Sequence, residues 1–162
     1  MSVTCNPQFL MGVAETLETN VDAAVVKRLI HSGFDLTNLT LNATSTPPVT
    51  KTSFLAHALT AGAKTIDFTA LPGSNGITHD CTGLKMQLLL IHNPTGNATL
   101  TVAPGSSNPY PPWGTAKGLD IPAGSYFPFL WIDTLPDCSS TVKTLDFSGS
   151  GTETFNLGVV FG

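Results

Sequence analysis

The side chains of this 162-residue chain that could do chemistry are four histidines, three cysteines and eleven acidic residues. His79-Asp80-Cys81 sets three of them side by side, in what reads as the longest loop of the chain. Extended backbone alternates its side chains, so His79 and Cys81 would share one side, half of a metal site. Two further ligands are needed, and His31, His57 and His92 are too scattered to nominate them. Asp133 and Asp137 flank Thr134-Leu135-Pro136, with Asp80 and Asp120 in other loops, but the Asp-rich spacing of a calcium loop is missing. No GxSxG elbow, phosphate-binding glycine loop, HExxH pair or dinucleotide fingerprint occurs. Cys5, Cys81 and Cys138 are odd in number and lack CxxC spacing, which suits buried thiols better than a disulfide framework or zinc knuckle. The expectation is a protein with no enzymatic activity, no metal and no cofactor.

The aromatic residues offer binding chemistry instead. Tyr110, Trp113, Tyr126 and Trp131 are all the tyrosines and tryptophans of the chain. The first two sit in NPYPPWG, where proline lowers the entropy cost of presenting a ring. Such a loop can stack on sugars, fill a partner's pocket, or fold over its own domain with Trp113 as a cap. In residues 125–132, Phe127, Phe129 and Trp131 alternate with Tyr126, Pro128, Leu130 and Ile132. Both faces are apolar, so one is core and the other must be covered by an arm of this chain or by another subunit. Pro128 marks the segment as an edge or bulged strand. The candidate interface residues are therefore Tyr110, Trp113, Tyr126, Pro128, Phe129, Leu130 and Trp131, with Val25 and Leu29 from a helix described next.

Two regions must position these groups. Residues 1–50 read as a helix and arm. In residues 19–33, Val25, Val26, Leu29 and Ile30 recur at helical spacing; Asn20 or Thr19 caps the start and Gly33 the end. Residues 35–46 alternate as an extended arm that Pro47 and Pro48 terminate. Residues 51–162 read as an antiparallel β-sandwich or jelly roll of about seven to eight strands, from short alternating segments cut by Gly, Pro, Asn and Ser. The segments are 52–59, 64–71, 85–92, 98–103, 118–121, 125–132, 141–147 and 155–161. MQLLLI within 85–92 reads as a central buried strand. KTIDFT at 64–69 recurs as KTLDFS at 143–148, either by chance similarity of amphipathic strands or because two like strands occupy related places in the two sheets. The closing NLGVVF is too apolar to be a bare edge and must be paired.

Composition narrows the partners. Charged residues make up 11% of the chain, less than half the usual share of about 25%. Because charges are costly to desolvate without partners, a sparsely charged surface suits a protein tiled against others. The net charge is −4, with Arg28 alone among the arginines, so no basic cluster exists to displace counterions from a nucleic acid or an anionic membrane. No basic, apolar leader opens the sequence and no apolar run approaches a membrane span, so the expectation is a protein made and kept in the cytosol, or released by lysis.

GLDIPAGSYFPF and the closing ETFNLGVVFG, within residues 118–162, carry a resemblance. With the small, acidic, Thr/Gly/Asn-rich sandwich, they look like the head decoration (cement) and other structural proteins of tailed bacteriophages. The resemblance implies a non-enzymatic virion protein that stabilises a capsid through subunit burial, as a homo-oligomer or against the major capsid protein or other virion proteins. The alternative is a carbohydrate-binding or adhesive module, for which NPYPPWG is the motive.

Overall fold

Strands begin where apolar residues alternate and stop where Gly or Pro breaks the ladder. The computed structural model describes residues 41–73, 76–131 and 133–162, together with the backbone of three short leading strands. In chain order the strands are β1 (Thr4–Cys5), β2 (Val13–Thr16), β3 (Arg28–His31), β4 (Leu41–Asn42), β5 (Lys51–Ala58), β6 (Ala63–Asp67), β7 (Leu71–Pro72), β8 (Thr78–His79), β9 (Met86–Asn93), β10 (Leu100–Pro104), β11 (Leu119–Ile121), β12 (Ser125–Leu130), β13 (Thr144–Ser148) and β14 (Thr154–Phe161). A 3-10 turn, Phe68–Ala70, links β6 to β7.

Eight of these strands make two four-stranded antiparallel sheets, ordered β12-β9-β14-β5 and β11-β10-β13-β6. Their inner faces share one core. Leu89, Ile91, Phe155, Leu157 and Val159 of the first sheet meet Ile66, Val102, Ile121, Leu145 and Phe147 of the second. Phe147 stacks on Phe155 with centroids 4.4 Å apart, tying the two sheets together. The smaller pairs β1-β4, β2-β3 and β7-β8 are also antiparallel.

The closing strand β14 lies between β9 and β5, so its apolar residues are paired on both edges. β9 is buried on both faces: its inward residues enter the core, while Leu88 packs outward with Val160 against Leu41 and Val49 of the preceding arm. Two expectations are corrected. Arg28–His31, read as the end of a helix, is a strand paired with Val13–Thr16, so local periodicity yielded to ladder pairing; the remainder of 19–33, including Val25, lies outside the described residues. The repeated KTIDFT and KTLDFS segments do not occupy two sheets. They are neighbours in one, with Leu145 opposite Ile66 and Thr144 opposite Asp67.

Candidate functional site

The outward faces of the two sheets differ in chemistry. On the β11-β10-β13-β6 sheet the outward residues are hydroxyls and carboxylates that satisfy one another. Thr101 donates to Asp120 at 2.6 Å, and Thr65 donates to Asp146 at 2.6 Å. At the strand end, the Lys143 ammonium is 2.7 Å from Asp67, which also accepts from the Thr69 amide and hydroxyl. Burial acts to raise the Asp67 carboxyl, but the hydrogen bonds from Lys143 and Thr69 outweigh it and hold it below the usual carboxylate range.

The outward face of the β12-β9-β14-β5 sheet is laid out in three rows by the strand register, the first largely polar and the other two largely apolar. One row runs Tyr126, His92, Asn156, Ala56; the next Pro128, Leu90, Gly158, Phe54; the third Leu130, Leu88, Val160, Thr52. Leu41 and Val49 cover the third. The first two rows border a groove of about 350 Å³, with Phe54, Leu90, His92, Tyr126 and Gly158 among its walls and no charged side chain among the described residues that line it. Gly158 is required here: a Cβ on it would lie 2.5 Å from the Phe54 ring, which rests across the strand. Tyr126, 64% exposed, stacks on the His92 ring at 3.9 Å with planes 6° apart. The Asn156 amide nitrogen donates to His92 Nδ1 at 2.9 Å, leaving the hydrogen of the neutral ring on Nε2.

β12 is an edge strand, as Pro128 implies. The Trp131 amide donates to the Gln87 carbonyl of β9 at 2.8 Å. By alternation, Phe129, Phe127 and Ser125 also turn their backbone groups toward β9, while Tyr126, Pro128 and Leu130 turn theirs to the open edge. Proline thus falls where its missing N–H costs the ladder nothing and interrupts the row of donors a further strand would need.

No family model matches the chain, and no curated protein matches it. Among solved structures it is similar to a chain described under "Bacillus endospore appendages form a novel family of disulfide-linked pili", at 14% identity and TM-score 0.43, covering 68% of this chain and 82% of that one. The likeness is distant.

The other expected residues fall in different places. Tyr110 is wholly buried, and its hydroxyl accepts from the Met86 amide and donates to the Pro136 carbonyl, both at 2.9 Å. Burial pushes its phenol well above the ordinary value. The surface role expected of Tyr110 is therefore corrected to a core anchor. Trp113 is half-buried, gives its Nε1–H to the Lys117 carbonyl at 2.7 Å, and packs on Phe129 at 5.4 Å. Phe127, Phe129 and Trp131 pack against the core from the inward side of β12, with Phe129 and Trp131 stacked. Leu130 rests against the arm residues Leu41 and Val49. Tyr126 and Pro128 remain exposed outward. Leu29 lies on β3, and Val25 outside the described residues.

At His79-Asp80-Cys81 the groups diverge. Cys81 is buried, its thiol pushed up to about 12 by desolvation, and Asp80 accepts from the Thr82 amide and hydroxyl. Among the described residues no three His, Cys, Asp or Glu converge on a point. Sequence reasoning missed Phe54, Leu90, His92, Asn156 and Gly158, which meet only through strand register. The one local signal was Gly158 inside an otherwise apolar strand.

Proposed function

We propose that this is a non-enzymatic structural protein that works by burying the outward face of the β12-β9-β14-β5 sheet against another polypeptide, in the first place a second copy of itself. The observation that carries this is the contrast between the two sheet faces: one polar and internally satisfied, the other an uncharged groove beside an exposed Tyr126. Uncharged walls lose little on desolvation, and their burial contributes about 25 cal/mol per Å² before association costs. The alternating sheet order supports a jelly roll, a frequent architecture of capsid domains. The finer setting we infer is a virion, with capsid decoration as the role and the major capsid protein or another virion protein as further partner. The carbohydrate-binding alternative loses one of the two rings of NPYPPWG, since Tyr110 is inside the core.

Light scattering coupled to size exclusion tests the proposal. The wild-type chain is expected to run as an oligomer and Tyr126→Glu as a folded monomer, because a carboxylate in the groove would have to be desolvated unpaired. A wild-type monomer that also fails to bind capsids would overturn it.

A further inference from the structure

β5 and β6 belong to opposite sheets, and Ala61-Gly62 turns one into the other, so the chain crosses between the sheets here. His57 lies on β5 just before that crossing, opposite Phe155 of β14. Its ring tilts against Phe155 at 5.7 Å, and Phe155 stacks in turn on Phe147 of the second sheet at 4.4 Å. His57 is 8% exposed, and its Nε2 is shut away from solvent with no hydrogen-bond partner among the described residues. A charge formed on such a ring loses its hydration and finds nothing to replace it. The charged groups around it offer no relief. Lys64 of β6 is of like sign and acts on the ring through space. Asp67, at the end of β6, has one oxygen held by Lys143 and the other by the Thr69 amide and hydroxyl. Asp146 of β13 accepts from Thr65 and the Ser106 amide. β14 carries no charge along its length, and Glu153 just before it accepts from the Ala98 and Ser150 amides. Lys51 stands at the far end of β5. The ion pairs among the described residues, Lys85–Asp133 and Lys143–Asp67, leave His57 out. Burial first, and then the Lys64 charge, hold its pKa below the ordinary histidine value.

We propose that His57 is an acid-sensitive latch on the crossing between the two sheets, and that its protonation releases β5 while the second sheet stays paired. To take up a proton the ring must reach water. The least costly way is to open β5, which among the described strands has a ladder neighbour on one side only, β14. The sign follows from the neutral folded ring. The stability it contributes is present above the unfolded histidine pKa of about 6.5 and is lost as pH falls toward the lower folded value. One proton taken up on opening makes that loss up to about tenfold in the opening equilibrium per pH unit. The latch is independent of the outward groove, because His57 faces the core side of the sheet with Phe155.

Native-state hydrogen exchange of the full chain between pH 7.5 and 5.5, corrected for the pH dependence of the intrinsic rate, tests the latch. Protection of the β5 amides is expected to fall by up to about tenfold per pH unit below about 6.5, with β10 and β13 unchanged. His57→Phe keeps an aromatic ring against Phe155 and should abolish the fall. Lys64→Gln, which removes the like charge and leaves the core alone, should make it shallower. NMR of the wild-type ring nitrogens gives a reading that needs no variant: His57 should stay neutral below the ordinary histidine range. A ring that charges at or above about pH 6.5, with Asp67 turned to meet it, would overturn the latch. So would protection that ignores pH, that falls equally in every strand, or that falls as steeply in His57→Phe.

Discussion

Tyr110 shows how far a residue's type can mislead about its place. Its loop, NPYPPWG, has the composition of a presented aromatic platform, yet the ring is edge-on to Phe68 at 5.4 Å and the hydroxyl joins β9 to the carbonyl of Pro136. One phenol therefore satisfies two backbone groups that would otherwise be stranded near the core. Tyr110→Phe keeps the ring and removes both bonds, so it should lower stability by about 1–3 kcal/mol, read as an earlier midpoint in denaturant with an unchanged slope. No effect would mean that water replaces the hydroxyl. The Asp67 carboxyl carries the opposite lesson: it was legible only as part of a repeated KTIDFT, whereas its use is to hold Lys143 of the second copy of that repeat.

At the scale of the element, the strands were the most legible part of the chain. Alternation and turn residues placed eight segments within a few residues of β5, β6 and β9 to β14, because period two is a property of neighbouring residues. Strand partners were not legible. Nothing local says that Leu145 faces Ile66, or that Gly158 faces both Leu90 and Phe54, so the groove was invisible although most of its strands were in view. The helix expected at 19–33 failed at Arg28–His31 for the same reason, since pairing with Val13–Thr16 is non-local. The β5-β6 hairpin offers a test of local geometry. Ala61 and Gly62 both take positive φ, 51° and 80°, between Thr60 and Ala63. That suits a two-residue turn whose first position favours Asn or Gly. Ala61→Gly is expected to raise stability by about 0.5–1 kcal/mol by relieving the left-handed cost of an alanine; an equal loss in thermal unfolding would contradict it.

For the molecule as a whole, charge is confined and sparing. Lys143 and Asp67 tie the end of β13 to the end of β6. Because Asp67 titrates below its ordinary value in the fold, the stability it contributes is present above the unfolded carboxylate pKa of about 3.9 and is lost as pH falls through the lower folded value. Lys143→Met should weaken this acid-dependent part, giving a shallower fall in melting temperature below about pH 4. An unchanged acid slope would show that the pair is inert. Among the described residues the opposite sheet face has no such ionic finish, and one of its three rows is already covered by Leu41 and Val49 of the chain's own arm. The other two rows, around Tyr126, are the surface we propose is covered by another polypeptide. The chain has two tyrosines, and Tyr110 is fully buried, so Tyr126 reports on that face alone. The most direct measurement is nitration of the native protein across a dilution series, with the modified residue identified by mass spectrometry. Tyr126 should be nitrated in dilute protein and protected as concentration rises, with Tyr110 unmodified throughout. Equal nitration of Tyr126 at every concentration, and in the presence of capsids, would contradict the central claim.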